Sequence, residues 1–405
     1  MRITSTLLAG TMLSVLLASP TLAQRQPAEA APANAPDQKP AFEGQTRAPQ
    51  PEAPAAVSAE VIAEGLPQLW AMEFLPDGRM LVTAKSGVLH IVTPEGEVSE
   101  PITGLPEVDL VGQGGLLDVA LAADFETSGR IYVSYAEPRE GGNGTSVAAA
   151  TLVLDEDGGA SLEDVEVIFR QEPTYDGDKH FGSRIVPAED GTLFVTVGER
   201  SDNQVRDQAQ DLASALGKVF HITADGEPVE DNPFVGTENA LPEIWSQGHR
   251  NVQSATLDGQ GRLWTVEHGA KGGDELNRPE AGRNYGWPDV AYGVEYSGDP
   301  INEGVTQNAE TEQPVYYWDP VIAPSGMAYY DADAIPEWKD AFIIGGLVSQ
   351  GLVVLHMDGD QVAFEERVPL EARVRDVRVG PDGAVYAVTE NPGAGTSTIV
   401  RVAED

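Results

Sequence analysis

A chain of 405 residues with 65 Asp and Glu against 25 Lys and Arg has a formal charge of −40 and repels nucleic acid and anionic lipid over most of its surface. It is long enough to bury a substantial core in one large domain or two smaller ones, and it has no cysteine, which excludes disulfides as its source of stability. Core packing, closure of a sheet or bound metal must stabilise it, and so acidic a surface favours divalent cations.

The chain begins with a small positive region, Met1-Arg2, an apolar run from Leu7 to Ala18, and Thr21-Leu22-Ala23 before Gln24. This pattern predicts a secretory signal over residues 1–23 and a periplasmic or secreted mature protein. The apolar run is too short to span a bilayer, so no membrane insertion is expected. Residues 24–57 are rich in Ala, Pro and Gln without helix or strand period, which predicts a disordered tether.

From residue 58 a phrase recurs: a turn, then an alternating strand. It reads Phe74-Leu-Pro-Asp-Gly78-Arg-Met-Leu-Val-Thr83, then Ala123-Asp-Phe with Gly129-Arg-Ile-Tyr-Val-Ser134, Ala188-Glu-Asp-Gly191-Thr-Leu-Phe-Val-Thr196, and Leu257-Asp-Gly-Gln-Gly261-Arg-Leu-Trp-Thr-Val266. A weaker copy spans Trp338 to Ile344, and the sixth is Gly380-Pro-Asp-Gly383-Ala-Val-Tyr-Ala-Val-Thr389. Asp-Gly turns between short β-rich runs are hairpin chemistry. Six such units without intervening amphipathic helices predict an all-β, six-bladed β-propeller over residues 58–405. Strands near residues 61–63 and 397–402 are expected to share a blade and close the ring.

Four segments carry candidate chemistry. Three of the six histidines, His180, His249 and His268, lie in Gly-rich turn segments, where loops carry function, and are expected to share a rim site. The first segment is His180-Phe-Gly-Ser-Arg184, followed by a strand ending in Gly198-Glu199, a base with an acid to orient it. Alone, His180 also reads as a packing residue. The second is Gly248-His249-Arg250-Asn251, whose guanidinium suits oxyanion stabilisation or a structural ion pair. In the third, Glu267-His268-Gly269-Ala270 leads to Asp274-Glu275-Leu-Asn277 and to Asn284-Tyr285-Gly-Trp287. Its acids and free carbonyls are hard oxygen ligands of the kind Ca²⁺ prefers, and Tyr285 and Trp287 are equally readable as core. The fourth is Arg373-Val-Arg375-Asp376, with both arginines on one strand face, either as surface salt bridges or as a clamp for a polycarboxylate.

Together with Gly112-Gln113-Gly-Gly-Leu-Leu-Asp118, Trp318-Asp-Pro and Ala323-Pro-Ser325-Gly, these segments resemble the soluble pyrroloquinoline quinone (PQQ)-dependent sugar dehydrogenases, in the aldose sugar dehydrogenase branch of the glucose/sorbosone dehydrogenase family. The likeness runs from about Gly65 to Val402. It implies a six-bladed propeller that oxidises the C1 hydroxyl of an aldose sugar to a lactone and passes electrons to an external acceptor, a quinone or cytochrome. By resemblance His180 is the general base and Glu199 its orienter, where the family more often has Asp, and Arg250 polarises the quinone oxygen. Gln113, Asn251, Arg373 and Arg375 would contact PQQ. Gly269 and Ala270 would offer carbonyls to an active-site Ca²⁺, and Glu275 with the Tyr285 carbonyl would bind a second.

Three positions depart from the family. Ala270 stands where Pro is usual, Val321 or Ile322 replaces a threonine, and Gly345-Gly-Leu-Val348-Ser-Gln350 lacks a lysine that contacts PQQ. These departures leave two other classes open: a Ca²⁺-dependent propeller lactonase, and a carbohydrate-binding propeller that has lost PQQ.

Overall fold

The computed structural model describes residues 26–155 and 159–405. The expected signal segment lies outside the described residues. Six small antiparallel sheets follow one another along the chain. Blade 1 is Leu69–Phe74, Met80–Ala84 and Val88–Val92. Blade 2 is Leu116–Leu121, Arg130–Arg139, Gly142–Leu154 and Ala160–Arg170. Blade 3 is Ile185–Pro187, Leu193–Val197, Lys218–Ile222 and Ile244–Gln247. Blade 4 is Val252–Leu257, Leu263–Glu267, Asp274–Asn277 and Tyr316–Trp318. Blade 5 is Pro324–Tyr330, Ala341–Gly346, Gly351–Asp358 and Gln361–Pro369. Blade 6 is Arg373–Val379, Val385–Asn391 and Thr396–Glu404, completed by Val57–Pro67 from the other end of the chain.

The first strands of neighbouring blades touch around the ring, which makes the molecule the expected six-bladed propeller. Every copy of the repeated phrase is the connection joining the first strand of a blade to its second; in five of them a glycine takes positive φ in the turn, as at Gly78 (+87°), and in the weaker copy on blade 5 Asp340 does so (+61°). The predicted closure holds, since Val61 pairs with Val400 and Ala59 with Val402.

Apolar side chains pack between blades, so the core is a ring of layers: Trp70 and Leu89 meet Leu116 and Val133, and Ile343 and Val354 meet Val377 and Val385. The axis is held by charge. Arg184 pairs with Asp118 (2.7 Å) and Asp376 (3.1 Å), all three nearly or fully buried, and Asp376 also accepts the partly exposed Arg378 (3.1 Å). Asp118 and Asp376 also accept the backbone N–H of Ile185 and Met72, which ties first strands together across the ring.

Residues 26–56 depart from the disordered tether expected over 24–57, because they lie as a strap against blades 4 and 5. The Asp319 carboxylate accepts Asn34 N (2.8 Å), Asn34 Nδ2 (3.0 Å) and Ala35 N (2.9 Å). Gln38 exchanges two hydrogen bonds with the Gly293 backbone, and fully buried Gln45 donates to the Pro314 carbonyl (2.9 Å) and accepts Tyr292 OH (3.1 Å). Such a segment has no core of its own, but its amides satisfy polar groups on the propeller that would otherwise need water.

Candidate active site

The site sits at the end of the ring opposite the six repeated hairpins, on loops that enter the first strands or leave the second ones. Its centre is a cavity of about 310 Å³ lined from all six blades, among others by Lys85, His180, Arg250, His268, Leu347 and Arg375. A larger cavity of about 540 Å³ at the opposite mouth contains no histidine, and its Arg184 and Arg378 are already paired in the axial network.

His180 follows blade 2 in a strained turn, with φ of +51° at His180 and +92° at Ser183. The turn lies so close to the next strand that a Cβ on Gly182 would stand 2.7 Å from Gly198 N, and one on Gly198 would stand 2.2 Å from His180 O. Those contacts explain both glycines. His180 Nδ1 lies 3.1 Å from Glu199 Oε1. Burial and the Arg250 charge push the imidazole below its ordinary range. Burial alone would raise Glu199, but His180 and Arg250 hold its carboxyl low. An ionised Glu199 only accepts, so Nδ1 carries the proton and Nε2 keeps its lone pair for a substrate.

Arg250 is fixed from below. Its Nη1 donates to His268 O (2.9 Å) and Gly269 O (2.6 Å), its N–H donates to Glu267 Oε2 (2.6 Å), and its buried Nε makes no hydrogen bond but lies 3.9 Å from Glu199 Oε1. His249, expected at the rim with His180 and His268, instead sits behind Arg250. Its Nδ1 faces Glu267 Oε1 (2.9 Å), its Nε2 faces Ser246 Oγ (2.8 Å), and its ring stacks on Tyr285. The surrounding strands have room to bury an imidazole there because Glu267 supplies its acceptor. His268 does line the cavity, held neutral by burial and by the charges of Arg250, His180 and Arg375.

Arg373 and Arg375 reach the cavity on the same strand face and share Glu390, at 3.2 and 2.7 Å. The salt-bridge and ligand readings of this pair are therefore compatible. Gln113 and Asn251 also line the cavity, but their carboxamide oxygens hold the His180 turn, accepting His180 N (2.9 Å) and Gly182 N (3.1 Å).

No group of three or more His, Cys, Asp or Glu side chains among the described residues is arranged to hold a metal. Any cation there depends on carbonyl and amide oxygens. Gly269 and Ala270 lie in a loop pinned by Asp274, which accepts Gly269 N (2.8 Å) and Ala323 N (2.7 Å). Glu275 is wholly enclosed beside Glu267 and Asp274, and burial drives its carboxyl well up. The buried Asn277 Oδ1 and Gln247 Oε1 have no partner, leaving acceptors for a cation next to Glu275. Tyr285 is core-like, its OH donating to Arg278 O (2.6 Å).

Lys85, His268, Tyr296 and Gln253 line the cavity without belonging to any proposed cofactor contact. Nothing in the local sequence of Lys85, Tyr296 or Gln253 marks it apart, whereas the Gly-rich turn around His268 is the signal that places it among the rim candidates. A second cavity of about 370 Å³ adjoins at Arg250 and Tyr296, with Trp287 in its wall and the buried Trp287 Nε1 unpartnered.

The family model for glucose/sorbosone dehydrogenases matches residues 66–400. The chain is 42% identical to the aldose sugar dehydrogenase YliI of Escherichia coli over 84% of this chain and 91% of that protein. The crystal structure of the soluble aldose sugar dehydrogenase from Escherichia coli in its apo form superposes with a TM-score of 0.81 at 40% identity, covering 86% of this chain and all of the other. The PQQ-bound form of the aldose sugar dehydrogenase from Streptomyces coelicolor gives 0.69 at 28% identity, over 86% and 99%. With a family match across every blade and relatives aligned over nearly their full length, this chain belongs to the glucose/sorbosone dehydrogenase family.

Proposed function

We propose that this sugar dehydrogenase oxidises the C1 hydroxyl of an aldose to the lactone, with His180 as general base, and passes the electrons to an external quinone or cytochrome. The observation that carries the reading is the buried His180–Glu199 pair facing the same cavity as Arg250. Neutral Nε2 accepts the hydroxyl proton, and Glu199 stabilises the imidazolium that results. Arg250, its plane set by the His268 and Gly269 carbonyls, stabilises negative charge developing opposite the base.

The cavity residues fit a planar polycarboxylate, because Lys85, Arg250, Arg373 and Arg375 face it against Glu390. When bound, PQQ supplies the two-electron acceptor for hydride from C1. Arg373 and Arg375 would hold its carboxylates. The Gly269 and Ala270 carbonyls would offer ligands to Ca²⁺, and Glu275 with the Tyr285 carbonyl would serve a second ion. The reading includes export to the periplasm by a signal cleaved before Gln24, which N-terminal sequencing of the mature protein checks.

The test is a titration of the purified protein with PQQ, with and without Ca²⁺, followed by dye reduction with a panel of aldoses. Wild type should bind PQQ in a Ca²⁺-dependent way and reduce dye only with sugar. His180→Ala should lose about 10²- to 10⁴-fold in turnover and keep its PQQ affinity. Near-normal turnover in that variant removes His180 from the role.

A further inference from the structure

Lys85 follows the second strand of blade 1, and its backbone is clamped on both sides. Its N–H donates to Gln68 O (2.9 Å) and its carbonyl accepts Leu116 N (3.0 Å). The half-buried side chain lines the same cavity as Arg373 and Arg375. Its one hydrogen bond is Nζ to Gly112 O at 3.3 Å, and it forms no ion pair with a described carboxylate. Glu390, the anion of this wall, already accepts both arginines and acts on Lys85 only at longer range. Burial and the Arg375 charge press the ammonium toward its neutral form.

Three cations facing one carboxylate in a partly enclosed space repel one another, and an anionic ligand relieves that repulsion. The feature is conspicuous in a molecule with a net charge of −40, where surplus positive charge is otherwise scarce. On blade 5, Val348 is a mostly exposed apolar residue where the family resemblance calls for a cation.

Resting on the cofactor reading above, we propose that Lys85 supplies the third cation of the cradle. It binds a carboxylate of the tricarboxylate quinone from blade 1. An ammonium is a point charge with three rotatable donors, so a carboxylate approached from another blade remains within its chemistry.

The experiment compares full-length wild type, Lys85→Met, Lys85→Arg, Lys85→Glu and Arg375→Met. Affinity for PQQ is read by quenching of intrinsic fluorescence in the presence of Ca²⁺. Thermal upshift by benzene-1,3,5-tricarboxylate, a redox-inert probe, is read separately. The Lys85 side chain makes no contact needed for folding, so unliganded melting temperatures should match. Lys85→Met should weaken PQQ binding about ten- to hundredfold, the scale of one lost charge-assisted hydrogen bond. Lys85→Arg should stay within about threefold of wild type, and Lys85→Glu should bind more weakly than Lys85→Met. The tricarboxylate upshift should shrink in the same order.

If Lys85→Met binds PQQ as tightly as wild type while Arg375→Met does not, the Lys85 assignment is overturned and the cofactor reading stands. If wild type binds no PQQ, the cofactor reading fails, and with it the quinone as the ligand of Lys85. A tricarboxylate upshift that still depends on Lys85 would then support the anion cradle alone, and one indifferent to Lys85 would overturn that as well.

Discussion

An ionised Glu199 sets the pH behaviour of His180. Burial and Arg250 hold the imidazole below its usual value of 6.5, so its basic form is already complete at neutral pH. The acid limb of kcat/KM should therefore lie below 6.5 and be flat from there through neutrality. Glu199 acts in the opposite direction to burial, raising the imidazole by its charge and hydrogen bond. Glu199→Gln removes that support, so the limb should move further toward acid while the plateau falls about 10²- to 10⁴-fold through loss of the oriented tautomer. A limb that moves upward in this variant contradicts the assigned pair. The same logic explains why two histidines differ in role. His249 spends both ring nitrogens on Ser246 and Glu267, whereas His180 spends one.

At the scale of single elements, the loop bearing the base is the most constrained piece of backbone in the site. Gly182 has φ of +66°, and an added Cβ would meet Gly198 N at 2.7 Å and Thr196 O at 2.9 Å. Gly191, in one of the repeated hairpins, has φ of +85° with open space around it. Gly191→Ala should cost only the left-handed backbone penalty, about 1 to 2 kcal/mol, with activity retained. Gly182→Ala carries that penalty and the steric one, so its urea midpoint should fall further and its turnover should collapse as His180 is displaced. Equal midpoints for the two variants would show that the close approach to Gly198 is unimportant. The N-terminal strap is a second instructive element. It contributes little apolar area, yet the Asp319 carboxylate takes three of its hydrogen bonds from it.

Across the whole molecule, the axial charge network takes the place that a continuous apolar core holds in other folds. Asp118 is fully enclosed, and burial pushes its carboxyl up to about 6 against the pull of Arg184 and Arg378. Removing it in Asp118→Ala takes away one of the two buried carboxylates that pair Arg184, leaving Asp376, and frees the Ile185 N–H that it accepts. The expected loss is about 3 to 5 kcal/mol in urea unfolding. A loss under 1 kcal/mol would mean that the blades are held by their apolar layers alone. Arg184 and Asp376 show that conserving a motif's wording is not the same as assigning its role: each ends a segment singled out for chemistry, and each is a structural tie.

The sequence by itself determined the number of blades, because each blade spells its first hairpin in a local turn, most often with Asp-Gly, and an alternating strand that need only neighbouring residues. It also singled out His180, Glu199 and Arg250, since each lies in a short segment with chemistry of its own, and the resemblance implies the roles proposed for them. Only the tertiary structure decided that Lys85 faces the same cavity as Arg375 and His268, that His249 stands behind Arg250, and that residues 26–56 are seated on the ring. Those outcomes depend on loops from all six blades meeting at one end of the channel. Contacts of that kind join residues hundreds of positions apart, and no local period records them.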